Sequence, residues 1–158
     1  MNYECLLQQA AALLKGETHP LPCLSNLSAL LYTQLPDLNW AGFYLMEGGS
    51  LLLGPFQGKP ACIRIAVGRG VCGTAAAEDA VQRVENVHLF PGHIACDSAS
   101  NAEIVVPIHA HGRVLGVLDL DSPTVGRFTA RDQQFLQGLV VLLENHCDWS
   151  RWQLSAKA

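Results

Sequence analysis

Two apolar runs, Glu103-Ile-Val-Val-Pro-Ile-His and Arg113-Val-Leu-Gly-Val-Leu-Asp-Leu-Asp, are separated only by Ala110-His111-Gly112. Nothing else in the chain constrains the fold so tightly, because two short strands with so little between them must form an antiparallel hairpin. The strands are predicted over 103–109 and 113–121. A three-residue loop with Gly112 in the left-handed conformation sets His109 opposite Arg113. Counting back then places Glu103 opposite Asp119. A two-residue turn at His111-Gly112 would instead oppose Glu103 to Leu120 and aim it away. Asp119 and Asp121 alternate with Leu120, so both project from one face and continue a stripe through Leu115 and Val117. The plain alternative is a strand that ends there and lets its aspartates reach water. In the three-residue register, which is the one expected, three carboxylates converge. Crowded like charges raise one another's pKa, so at least one stays protonated near neutral pH. Such a cluster holds an ammonium group and also donates a proton.

The rest of the chain is consistent with an antiparallel sheet. Residues 2–15 and 24–34 read as helices, with Leu24, Leu27, Leu30, Leu31 and Leu35 near helical spacing and "THPLPC" between them as a breaker. Residues 38–46 and 50–57 are predicted strands joined at Glu47-Gly48-Gly49, and 62–67 alternates as a third. A glycine-rich turn and a short alanine-rich helix follow, with Cys72 at the helix start, then a short strand near 81–85. Thr129 and Asp132 match a capping box that opens a helix running to about Trp152. The fold class is therefore α+β: a central antiparallel β-sheet flanked by N- and C-terminal helices.

Composition narrows the function. With 158 residues, 49% of them hydrophobic and 15% charged, the chain has the size and apolar content of one globular domain. Net charge is -4 with no basic cluster, which excludes nucleic acid and anionic membrane as expected partners. The opening MNYECLLQQAAALLKGE lacks a basic start and is broken by Gln8, Gln9 and Lys15, so it reads as an amphipathic helix and not as a signal peptide. No apolar run approaches the roughly 20 residues of a membrane span. A cytoplasmic protein is expected.

In a reducing compartment the six cysteines are fillers or chemistry, not a disulfide framework. Cys5, Cys23 and Cys147 lie among helical leucines and read as small hydrophobes. Cys62, Cys72 and Cys96 sit at junctions, where a thiol can be reached and moved. The helix start favours thiolate at Cys72 alone, which does not by itself select a nucleophile. His93 and Cys96 stand close, but no C-x2-4-C pair accompanies them, so no metal is expected. Trp40, Phe43 and Tyr44 read as core before they read as a binding wall. The glycines of "GRGVCG" lack the G-K-[ST] ending of a phosphate loop.

Assembled, the stretches "NWAGFYL", "LGPFQGKPAC", "GRGVCGTAA", "FPGHIACDSAS", "EIVVP" and "GVLDLDSP" closely resemble the free methionine-(R)-sulfoxide reductases of the GAF-domain superfamily. They run in order from about residue 38 to 128 and carry the cysteines at C-x9-C-x23-C. The resemblance implies a single GAF-like domain over residues 1–158, with a loop-covered pocket for a free amino acid. It implies Cys96 as nucleophile, Cys62 as resolving thiol and Cys72 as a third redox cysteine. Glu103, Asp119 and Asp121 match substrate-binding carboxylates, with Glu103 and Asp121 as candidates for the acid, and Trp40 matches the wall beside the substrate's methyl group. It further implies free methionine (R)-sulfoxide as substrate, recycling by thioredoxin, a homodimer, and no cofactor. The other function to weigh is a non-catalytic GAF module that senses a small ligand. Phe128 and Asp132 match the end of the cyclic-nucleotide pattern, but Gln133 stands where it has Glu and no Asn-Lys pair occurs.

Overall fold

Pro20 and Pro22, which the sequence reading takes for a breaker, instead open a helix. His19 Nδ1 accepts from the Leu21 N–H at 3.1 Å, and Pro20 occupies the first turn, where it has no N–H to leave unpaired. In the computed structural model, which describes residues 1–152, helix α1 spans Tyr3–Leu14 and α2 spans Pro20–Gln34. The sheet strands are β1 Trp40–Glu47, β2 Ser50–Gly58, β3 Arg64–Ala66, β4 Gln82–Val84, β5 Ala102–Ala110 and β6 Arg113–Ser122. Helix α3, Gly70–Glu78, lies between β3 and β4, and α4, Ala130–His146, follows β6. The predicted Thr129 capping box is present, the Thr129 N–H donating to Asp132 at 2.7 Å. The helix stops short of Trp152: its cap is Cys147, and Trp149–Trp152 forms a separate 3-10 turn. The last six residues of the expected 1–158 domain lie outside the described residues.

The six strands are ordered β3-β2-β1-β6-β5-β4, each pairing antiparallel, as expected for the class. Alternation sorts the side chains into two layers. Phe43, Leu45, Ile104, Val106, Ile108, Leu118 and Leu120 face α1, α2 and α4 and form the main core. Full burial of each such side chain contributes about 1.5–3 kcal/mol. Trp40, Tyr44, Val105 and Val117 face the other way, toward β3 and α3. Glu103, Asp119 and Asp121 share this second face by parity.

The hairpin reaches that arrangement by an unexpected route. His111 (φ 54°) and Gly112 (φ 74°) are both left-handed, and Ala110 pairs with Arg113. The turn therefore has two residues, not three, and alone it would turn Glu103 away. A bulge reverses the effect: Ile108 pairs with Gly116 and His109 with Val114, so Leu115 is an extra residue on β6. Glu103 consequently pairs with Asp121, and Val105 with Asp119. The expected facing partner was wrong by two residues, and the expected face was right. Leu115 leaves the stripe assigned to it and packs against the main core. Gly116 lets β1 approach the bulge, since a Cβ there would lie 2.3 Å from the Tyr44 carbonyl oxygen.

Candidate active site

The second face of the sheet carries a pocket lined by Trp40, Tyr44, Cys72, His93, Cys96, Glu103, Asp119 and Asp121, among others. Its floor is β1, β5 and β6, one wall is the start of α3, and its cover is the segment around Cys96. The glycine-rich approach to α3 serves close packing: a Cβ on Gly73 would sit 2.4 Å from the Ala66 carbonyl oxygen. That contact presses the first turn of α3 onto β3 and buries Cys72 at 2% exposure.

Burial contradicts the idea that Cys72 can be reached from solvent and that its helix start makes it a thiolate. Its Sγ lies 3.8 Å from Glu103 Oε1. Burial first, then the neighbouring Asp119 and Glu103, push its thiol well above the ordinary range. Two carboxylates outweigh a helix terminus, and Cys72 is a protonated donor. Cys5 also departs from expectation, since it is exposed and not a core filler, whereas Cys23 and Cys147 are buried as expected.

Glu103 and Asp119 are 7% and 5% exposed, and Asp121 is partly buried. Burial and the charge of Asp119 raise both Glu103 and Asp121 well above the usual carboxylate range. Asp119 is raised to about 6, again by burial, with hydrogen bonds from Cys72 and Glu103 drawing it down. Its Oδ1 is buried without a partner among the described residues. A buried, unpaired carboxylate oxygen is costly. The cluster therefore suits a donor entering from outside, and an ammonium group answers it. His93 Nε2 lies 3.8 Å from Glu103 Oε2, and burial lowers the His93 pKa, so its ring is neutral near pH 7.

Trp40 does both jobs that the sequence allowed it. Its indole N–H donates to the Lys59 carbonyl at 3.2 Å, it stacks on Phe56 and Tyr44, and its remaining surface lines the pocket. Phe43 points into the main core. Cys96 is exposed on its loop and joined by a disulfide to Cys62, with Cα atoms 5.7 Å apart. Cys62 stands in the loop before β3, not within a strand, because only 64–66 pair with β2. The bond closes the Cys96 segment over the carboxylates.

Sequence reasoning named Tyr44 and His93 without giving either a place in the site, and it missed Asn39 and Ser100. Tyr44 was legible: it stands four residues after Trp40 on one strand, and so shares its face. It donates to the Cys62 carbonyl at 2.9 Å. Asn39 and Ser100 carried no local signal, because they meet only in the folded chain, at 2.9 Å. His88 is spaced from His93 as zinc ligands are, yet its Nε2 lies 2.9 Å from Asn101 Oδ1 and the two rings are 6.5 Å apart.

A GAF-domain family model matches residues 19–146. Free methionine-R-sulfoxide reductase of Escherichia coli is 59% identical over 142 residues, covering 90% of this chain and 86% of that protein. The structure of fRMsr of Staphylococcus aureus in complex with substrate superposes with a TM-score of 0.88 at 50% identity, covering 92% of this chain and 95% of that one. Free methionine-R-sulfoxide reductase from Neisseria meningitidis, also in complex with its substrate, gives 0.90 at 40% identity, covering 96% and 92%.

Proposed function

This chain belongs to the free methionine-R-sulfoxide reductases of the GAF-domain family, and from that premise we propose that Cys96 carries the reduction. The activity is reduction of free methionine (R)-sulfoxide to methionine. The observation that carries the assignment of roles is the placement of Cys96, bonded to Cys62, over three carboxylates, two of them buried and Asp121 partly so.

In the reduced enzyme the Cys96 thiolate attacks the sulfoxide sulfur. Glu103 or Asp121, each of which holds its proton to unusually high pH, protonates the oxygen. The oxygen passes to the cysteine sulfur, methionine leaves, and Cys96 becomes a sulfenic acid. The Cys62 thiol attacks that sulfur, water departs, and the Cys62–Cys96 disulfide forms. An external dithiol of the thioredoxin type then reduces the disulfide. The sum is sulfoxide plus dithiol giving sulfide, disulfide and water. Cys72 stays a neutral, buried thiol that supports Glu103. Asp119 receives the substrate ammonium, and Trp40 walls the methyl group.

A free amino acid suits this pocket for two reasons. The ammonium group answers the unpartnered Asp119 oxygen, and a peptide-bound residue has none to offer. A covered pocket also leaves no exit for a continuing chain. We place the working enzyme in the cytoplasm as a homodimer of single-domain chains, with no metal or organic cofactor in the reaction. Chiral chromatography of residual substrate after incubation with dithiothreitol tests the reading. Consumption of the R epimer with the S epimer untouched is expected. Persistence of both would overturn it.

A further inference from the structure

We propose that Asn39 is a positioning residue for the reduction, its side-chain amide fixing the base of the Cys96 segment and aiming the Ser100 hydroxyl at Asp121. The proposal rests on the roles assigned above to Cys96 and Asp121.

Asn39 immediately precedes β1, where its backbone N–H donates to the Asp121 carbonyl at 3.0 Å. Its Nδ2 group has two protons and spends both: one goes to Asp97 Oδ2 at 3.1 Å, the other to Ser100 Oγ at 2.9 Å. Asp97 follows Cys96 directly. Its other oxygen accepts from the Ala99 N–H at 2.9 Å, and its carbonyl accepts from the Ser100 N–H at 3.2 Å. Residues 97–100 thus form a closed turn nailed to β1 through one amide. The segment before it is exposed, apart from partly buried His93, and is tied down by the Cys96 disulfide. When that bond is reduced, Cys96 moves about a base that Asn39 holds still.

The same amide sets a direction. Because Ser100 Oγ accepts from Asn39, its own proton is left to donate into the pocket that Ser100 and Asp121 both line, where it would lower the Asp121 pKa. A hydroxyl donating to a carboxylate favours the charged form. Asn39 Oδ1, meanwhile, is buried without a partner among the described residues. An apolar side chain would avoid that cost, so the two donors are what this position supplies.

The test is single-turnover methionine release from reduced enzyme, followed against pH, for Asn39→Ala, Asn39→Asp and Ser100→Ala. Asp121 is also faced by Asp119, Asp97, Glu103, Tyr44 and Cys72, which all remain in these variants. Loss of the Ser100 donation should move the limb governed by Asp121 to higher pH in all three. The sign is the same whether Asp121 must be protonated as acid or ionised as binder. Asn39→Ala should also lower kcat by about 10- to 10²-fold with little change in KM, since Cys96 loses its fixed base. Asn39→Asp keeps the shape but replaces both donors with acceptors, sets a second charge against the ionised Asp97, and should be the slowest. Asn39 variants with a lowered Tm but the wild-type rate and pH limb would overturn the proposal by leaving a merely structural role. Should the Asn39 variants not fold, a Ser100→Ala limb unmoved from wild type would overturn it equally. Wild type separates the two claims: if it releases no methionine, the reductase roles fall first, whereas a normal wild type beside normal variants removes only Asn39.

Discussion

Glu103, Asp119 and Asp121 are three acids on one face whose surroundings raise their pKa, and each has a different expected part. Glu103→Gln and Asp121→Asn should lower kcat/KM by about 10²-fold or more, the usual scale for loss of a general acid. For whichever is the proton donor, the drop should lie mainly in kcat. The wild-type single-turnover rate should fall above the raised pKa of that residue. Asp119→Asn should act chiefly through KM, because the ammonium loses the carboxylate charge at the oxygen that has no other partner. Steady-state and single-turnover kinetics of the three variants check this. Near-normal kcat in both Glu103→Gln and Asp121→Asn would reduce the cluster to the end of a strand. At this scale the sequence was informative where chemistry follows residue type and alternation, as with the acids. It misled at Cys72, where a helix start pointed to thiolate but tertiary burial beside two carboxylates decides the other way.

Between elements, the hairpin of β5 and β6 decides whether an active site exists. The two-residue turn and the Leu115 bulge each shift the register by one, and only together do they put Glu103 beside Asp121. Deletion of Leu115 should therefore cost far more activity than Leu115→Ala, since deletion sends Glu103 to the helix-packed face and Leu115→Ala removes only a partly buried side chain. Similar activity in the two variants would show that the bulge has no such role. A second element-scale test concerns Asp132. It caps α4 through Thr129, accepts from Tyr3 in α1 at 2.5 Å and from Arg127 at 3.2 Å, and is 3% exposed. Asp132→Ala should destabilise the fold by about 2–3 kcal/mol in denaturant titration, from a lost cap and unpaired partners. A change under about 0.5 kcal/mol would contradict the account, since that is the scale of an unengaged surface residue. Strand existence, helix type and the Thr129 cap were legible because periodicity and capping are local. The bulge was not, because a one-residue register error leaves no mark in composition, and the two prolines after His19 looked like a break because proline serves both purposes.

For the molecule as a whole, the buried acids tie stability to pH. Asp119 titrates near 6 in the folded chain and near 3.8 when unfolded, with Glu103 and Asp121 also raised. Between those values the folded state holds more protons than the unfolded one, so stability falls as pH rises from about 4 through about 6 and beyond. Doubly paired His109, also raised, contributes in the same direction by losing its charge. The Tm of substrate-free enzyme should fall from about pH 5 to about pH 8, and Glu103→Gln should flatten that slope. A wild-type slope unchanged in Glu103→Gln would contradict the assignment of the pH dependence to the pocket. Substrate should restore stability most at the higher pH, where its ammonium meets ionised acids. The measurement that bears most directly on the central claim is methionine released per chain in one turnover of fully reduced enzyme without added dithiol. Wild type and Cys62→Ser should each release at least about one equivalent, wild type alone should end with the Cys62–Cys96 bond, and Cys96→Ser should release none. Release from Cys96→Ser equal to that of wild type would contradict the account.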